Sequence, residues 1–274
     1  MPRIVQITDS HLSPDWSACS ANWDICAAAI RRLKPDLIVH TGDISFDGAD
    51  KDADLAFARA RMDALELPWL AIPGNHDIGD CLQPNASRGT QEIAPVRRAR
   101  YRDAFGDDWW LHDVAGWRLV GINVQLFGSG MPEESEQWSF LTEAVAGGGE
   151  GRVVLFLHRP LFAHDAAVDG EPQRYVMPPH KSRLLALIRR YRVAAVCSGH
   201  THQWLSVRDG GTAYYWAPSS AFVIPDSRQP VIGEKLVGFL ELKLQTDGVE
   251  AELHSPAELI RHDIVALLGG AAMH

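Results

Sequence analysis

The chain has 274 residues, 46% hydrophobic and 22% charged, which excludes a disordered or fibrous protein and allows one elaborated domain or two small ones. Its formal net charge of −9 speaks against a nucleic-acid polymer as partner, since such binders need a basic face to displace counterions; a small anionic substrate stays open where a metal supplies local positive charge. No apolar stretch reaches the roughly 20 residues of a membrane span, a strand-like run at 3–7 leaves no room for a signal peptide, and Cys19, Cys26, Cys81 and Cys197 show no C-x-x-C spacing, so the expectation is a reduced, cytoplasmic protein with no membrane partner, structural zinc or disulfide framework.

Residues 4–8 form the first nearly continuous apolar run, after which Trp23, Cys26, Ile30 and Leu33 recur at helical spacing and Pro35 stops the helix. A strand at 37–41 precedes a second helical pattern, Leu55, Ala58, Met62 and Leu65, closed by Pro68, and a third strand at 69–72. Residues 78–112 break this rhythm with Pro84, Asn85 and Gly89 and then an Arg-rich helical stretch. They are expected to form a small cap insertion facing the substrate, because they leave the chain at the end of the third strand. The alternation resumes with a strand at 118–124, a helix carrying Trp138, Leu141 and Val145 that ends in three glycines, and a strand at 153–157. A helix through Leu184, Leu185, Ile188 and Tyr191 and a strand at 193–197 complete it. Residues 203–254 read as β-rich, their last two runs joined through Thr246-Asp247-Gly248 as a hairpin. Apolar strands buried on both faces, alternating with helices, predict an α/β layered sandwich. With no repeat or linker in sight, residues 1–274 are expected to be one domain that includes the cap and the β-rich C-terminal part.

The residues at the end of each apolar run point to chemistry. The first run leads into Asp9-Ser10-His11, the second into Gly42-Asp43 and the third into Gly74-Asn75-His76-Asp77. The run at 153–157 ends at His158, and that at 193–197 leads into Gly199-His200-Thr201-His202. In α/β sheets the carboxyl ends of the strands form the usual crevice for a site. Residues i and i+2 of extended chain point the same way, which would pair Asp9 with His11 and His200 with His202. Asp9, His11, Asp43, Asn75, His158, His200 and His202 make more mixed nitrogen and oxygen donors than one tetrahedral zinc uses. They suit two metals about 3.5–4 Å apart that share a carboxylate. Imidazole and carboxylate donors accept divalent or trivalent iron, manganese, zinc or cobalt, and affinity order does not choose among them. Two divalent ions, two aspartates and one hydroxide would leave the centre at about +1, enough to draw in a phosphate against the acidic whole.

These blocks, in this order over residues 9–202, resemble the five motif blocks of the calcineurin-like metallophosphoesterases. The Asp-Ser-His-Leu start and the β-rich tail look most like the bacterial cyclic-nucleotide and glycerophosphodiester phosphodiesterase branch. The resemblance implies a four-layer αββα sandwich in which Asp9, His11 and His202 hold one metal, Asn75, His158 and His200 hold a second, and Asp43 bridges. It implies hydrolysis of a small phosphodiester by attack of a metal-bridging hydroxide, with His76 beside the substrate phosphate and Asp77 steadying the His76 ring. Asn75 would also face substrate. Where this branch often has a second histidine after the fourth-block histidine, the chain has Arg159, to be placed on a phosphate oxygen or on a neighbouring carboxylate. A phosphomonoesterase acting on a nucleotide, sugar phosphate or phosphoprotein is the rival enzyme reading, and a non-catalytic metal-binding scaffold the rival of another class.

Outside the motifs, Arg97, Arg98, Arg100 and Arg102 read as a solvated helix face with acidic neighbours. Trp109, Trp110 and Trp117 read as a hydrophobic anchor for the insertion in preference to a dimer surface, and homo-oligomerisation stays open.

Overall fold

The structure, a computed structural model, describes residues 2–81, 92–149 and 152–269. Its first part alternates β1 (Arg3–Ile7), α1 (Ser17–Leu33), β2 (Leu37–His40), α2 (Asp52–Asp63), β3 (Trp69–Ala71) and the single turn α3 (Asn75–Ile78). After α4 (Pro95–Phe105) come β4 (Trp110–Val114), β5 (Trp117–Gly121), α5 (Pro132–Ala146), β6 (Val153–Phe156), α6 (His180–Arg190) and β7 (Ala195–Ser198). The chain closes with β8 (Leu205–Asp209), β9 (Thr212–Trp216), β10 (Phe239–Gln245), β11 (Gly248–His254) and α7 (Ile264–Leu267).

The helices start and stop on local chemistry. Proline occupies the first turn of α4 and α5, where its missing N–H costs nothing. Lys34, in a left-handed conformation, caps α1 just before Pro35. Cys19, Trp23, Cys26, Ala27 and Ile30 form the buried stripe of α1, so two of the cysteines are free thiols serving as core residues.

Five strands in the order β11-β10-β1-β2-β3 make one sheet, and six in the order β4-β5-β6-β7-β9-β8 make the other. β1, β2 and β3 run parallel to one another, as do β5, β6, β7 and β9. Hairpins supply the antiparallel edges: β4–β5 turns through Ala115-Gly116 and β8–β9 through Gly210-Gly211, both pairs at positive φ. β10–β11 turns through Thr246-Asp247.

Three apolar cores define four layers. Ile4, Val39, Leu119, Phe156, Tyr215 and Leu242 fill the space between the sheets. Trp23, Ile30, Leu55, Met62 and Tyr101 pack α1, α2 and α4 on the outside of the first sheet. Trp138, Leu141, Leu184 and Ile188 pack α5 and α6 on the outside of the second. This is the αββα sandwich the resemblance implies.

Two expectations change in detail. Of the insertion expected at 78–112 to cap the site, residues 92–112 are layer material: α4 buries Tyr101 and Phe105 in the outer core, and β4 is the edge of the second sheet. A helix with apolar residues to bury finds more surface against α2 than it would over a polar crevice. Pro84, Asn85 and Gly89 lie outside the described residues. The β-rich C-terminal part does not stay together either, for β8 and β9 extend the second sheet while β10 pairs with β1 and carries β11 onto the first. The arginines of α4 pair with acids, Arg97 with Asp50, Arg98 with Asp108 and Glu133, Arg100 with Asp52 and Arg102 with Asp107. Trp110 and Trp117 anchor the sheet-to-sheet core.

Candidate metal centre

Because β1, β2, β3, β6 and β7 are parallel members of their sheets, their carboxyl ends open on one edge of the sandwich, where the two sheets meet. Cross-sheet hydrogen bonds fix the meeting: the Gln6 amide donates to the Ser198 carbonyl at 3.0 Å, and the His200 amide donates to Asp9 Oδ2 at 2.9 Å. The turns are tight. Asp9, His11, Asp43, His200 and His202 all have positive φ, between 43° and 65°, a region that non-glycine residues enter rarely and chiefly as Asn, Asp or His. The extended geometry expected for Asp9-x-His11 and His200-x-His202 is therefore absent.

The side chains nonetheless converge, in two groups. Asp9, His11 and His202 form the first: His202 Nε2 lies 3.1 Å from Asp9 Oδ1 and 3.3 Å from His11 Nε2. Asp43, His158 and His200 form the second, with His158 Nε2 3.4 Å from Asp43 Oδ2 and 3.1 Å from His200 Nδ1. Asn75 joins it, its Oδ1 3.3 Å from His158 Nε2. Asp43 Oδ2 is also 3.9 Å from His11 Nε2, so one carboxylate oxygen stands between the groups. Within each group the ligand-capable atoms of the histidines and aspartates lie within 4.8 Å of one another.

Backbone carbonyls aim the imidazoles. His158 Nδ1 donates to Thr41 O at 2.8 Å, His200 Nε2 to Gln173 O at 2.8 Å, and His202 Nδ1 to Phe222 O at 3.1 Å. Each tether uses one ring N–H and turns the other nitrogen inward, where it offers a lone pair when that nitrogen is unprotonated. Thr8 Oγ1 and the His200 amide hold Asp9 Oδ2, while Asp9 Oδ1 is buried with no hydrogen-bond donor among the described residues. Lone pairs and an undonated carboxylate oxygen converging on shared points are what a cation needs, and the donors present fit metal ions.

The electrostatics agree. Burial would raise Asp43 and Asp9, yet His158 holds Asp43, and His202 holds Asp9, below the ordinary carboxylate range. Burial and the neighbouring His76 push His11 well down, and burial with His158 pushes His200 to about 3. His158 goes the other way: burial pulls it down, but Asp43 outweighs that and lifts it to about 9.

His76 and Asp77 correct the sequence reading. They belong to the helical turn α3, where neighbours diverge by about 100°, not to extended chain. Asn75 faces His158 from one flank of Asp43, and His76 faces His11 from the other, with ring centroids 4.7 Å apart. His76 Nδ1 donates to the Phe46 carbonyl at 2.6 Å, and a ring nitrogen of His76 lies within 4.8 Å of ligand-capable atoms of His11 and Asp43. Asp77 does not steady this ring. Its carboxylate accepts from the amides of Gly74, Ile44 and Ser45 and from Ser45 Oγ, stitching the turn after β2 to the turn after β3. Burial and the nearby Asp43 raise Asp77 to about 6 even so. Arg159 takes the second of its two expected partners: it is buried against Asp80, which also receives Gln125.

Sequence reading missed the tethers. Thr8 stands next to Asp9 and was open to notice. Phe46, Gln173 and Phe222 act through their carbonyls, which leave no side-chain signal. Buried His40, which shares a 2.9 Å hydrogen bond with Ser10 and is pushed to about 3 by burial, supports the turn that carries Asp9 and His11.

Comparison with known proteins places this geometry. The profile of the family described as Calcineurin-like phosphoesterase matches residues 2–204. The chain is 25% identical over 212 residues to the "Probable glycerophosphodiester phosphodiesterase GpdQ" of Arcobacter nitrofigilis, covering 73% of this chain and 71% of that protein. It is 24% identical over 210 residues to the "Probable cyclic nucleotide phosphodiesterase" of Moraxella catarrhalis, with the same coverage of 73% and 71%. Among solved structures, a dimetal phosphatase from Danio rerio superposes with a TM-score of 0.65 at 15% identity, over 93% of this chain and 96% of that one.

Proposed function

Since the chain belongs to the calcineurin-like phosphoesterase family, we propose that it is a dinuclear phosphodiesterase acting on a small diester of the cyclic-nucleotide or glycerophosphodiester kind. The observation that carries the dinuclear reading is the position of Asp43 Oδ2, within 4 Å of an imidazole nitrogen from each of the two groups. The names of the relatives from Arcobacter nitrofigilis and Moraxella catarrhalis support the diester.

In this reading Asp9, His11 and His202 would hold one metal, Asn75, His158 and His200 would hold the other, and Asp43 would contribute to both. When bound, the pair supplies a water of lowered pKa and the positive charge that phosphoryl displacement needs. The protein's part is preorganisation: carbonyl-tethered rings and donor-held carboxylates need no rearrangement as charge develops. His76 manages a proton. Its Nδ1–H is spent on Phe46, so Nε2 is the atom that would pass a proton to a departing alkoxide.

Metal-stripped protein reloaded stepwise with manganese or zinc tests the proposal, assayed on methyl 4-nitrophenyl phosphate and on 4-nitrophenyl phosphate. Activity that saturates at two equivalents per chain and a higher kcat/KM on the diester are expected. Saturation at one equivalent removes the dinuclear centre, and preference for the monoester removes the diesterase.

A further inference from the structure

A second feature lies one peptide unit from the centre. Arg159, directly after His158, lines a cleft of about 350 Å3 whose walls include Phe127, Val176, Met177, Pro178 and His180. Its guanidinium is anchored by Asp80. The His180 ring lies flat on Phe127, at 5.3 Å and 9°, and Glu134 lies 3.4 Å from its Nδ1, so one wall is a fixed aromatic plate.

We propose that this cleft is the subsite for the organic component of the diester, and that it selects a flat, nucleoside-sized group whose heteroatoms accept from Arg159. The proposal rests on the phosphodiesterase reading for the phosphate end and on the cleft for the rest. The volume falls in the roughly 300–1,000 Å3 range of organic-ligand sites. The walls decide between the two diester kinds. A glyceryl group could pair its hydroxyls with Arg159 and His180 but would leave the apolar surface of Phe127, Val176 and Met177 uncovered. A nucleobase presents an apolar face to the plate and to Met177 and Pro178, and concentrates its acceptors along an edge that Arg159 can meet.

Binding of the reaction's product class separates this inference from turnover. Equilibrium dialysis on metal-loaded protein would compare adenosine 5′-monophosphate with methyl phosphate, in the wild type, Met177→Trp and Arg159→Met. The wild type should bind the nucleotide at least tenfold tighter. Met177→Trp, which fills the cleft from its rim, should erase most of that preference, and Arg159→Met should reduce it. Should Arg159→Met fail to fold because Asp80 is left buried without its cation, Met177→Trp still decides. Equal binding of the two phosphates by the wild type, or a preference that survives Met177→Trp, overturns the subsite. A preference lost in Met177→Trp in a protein that hydrolyses no diester keeps the subsite and removes the phosphodiesterase. Diester hydrolysis without the preference does the reverse.

Discussion

Gly74→Ala tests whether the position of Asp43 sets the centre. Gly74 has φ −103°, a conformation open to alanine, so the substitution introduces no backbone strain. The added methyl would stand 2.8 Å from Asp43 Cγ and closer still to Oδ1 and the Asp43 amide nitrogen, where real Cβ atoms are not found inside 3.0 Å. The backbone nitrogen cannot swing aside, and the turn after β2 is stitched to the turn after β3 by Asp77. Relief therefore requires the two turns to part, moving the Asp43 carboxylate by about an ångström, a displacement that costs on the order of 10²-fold in rate. Overpacking of this kind also costs roughly 1–3 kcal/mol of stability. Gly106→Ala is the contrasting control. Gly106 has φ +90° and nothing near its missing side chain, so it should lose a comparable roughly 1–3 kcal/mol through strain alone and keep full activity per folded molecule. Metal content and kcat on methyl 4-nitrophenyl phosphate, corrected for the folded fraction by thermal melting, give the comparison. Wild-type metal content and rate in Gly74→Ala would show that Asp43 is not held where the argument requires.

Asp43→Asn keeps the shape and removes the shared charge, so bound metal should fall from two ions per chain to one or fewer by plasma emission analysis; two tightly held ions would deny Asp43 the bridge. His76→Ala should leave metal content near normal and slow alkoxide-leaving diesters by roughly 10²–10⁴-fold, with a smaller loss on nitrophenyl esters, whose anion departs without a proton; depleted metal would make His76 a ligand. His158 makes metal binding depend on pH. In metal-free protein it stays charged to about pH 9, above its unfolded value, so it adds stability that is full below about pH 6.5 and lost as pH rises through 9. Metal uptake must displace that proton, and apparent affinity should climb about tenfold per pH unit over pH 6.5–8.5. Calorimetry in buffers of different ionisation enthalpy counts the proton, and zero release would mean that the ring is already neutral.

Much of this was legible in the sequence, for identifiable reasons. A strand buried on both faces must be apolar throughout, so β1, β2, β6 and β7 announce themselves, and the first polar residue beyond each marks the strand end. The helices around Trp23 and Trp138 show their buried stripes. β4 does not, because Leu-His-Asp at an edge carries no clean alternation. The pairing of β10 with β1 joins residues more than 230 positions apart, such as Gln6 with Leu240, and no local pattern encodes it. At the site, residue types and order were readable, but conformation was not. The assumption of extended chain failed at Asp9, His11, His200 and His202, where the left-handed turn is imposed by packing between the sheets, and at Asn75-His76, where Asp77 accepts from the Gly74 amide and starts a helix.

Those left-handed turns also bear on how this surface could change over generations. Backbone at φ near +50° tolerates Asn, Asp, His and Gly and resists β-branched residues, so the conformational filter and the ligand list overlap at Asp9, His11, Asp43, His200 and His202. Selection for chemistry and selection for folding act there in the same direction. A descendant relieved of catalysis would drift at these five positions within that short alphabet, toward Asn and Gly before Val or Ile. It would keep the sandwich while losing its cations, and the signature of lost activity would be amide and hydrogen in place of carboxylate and imidazole.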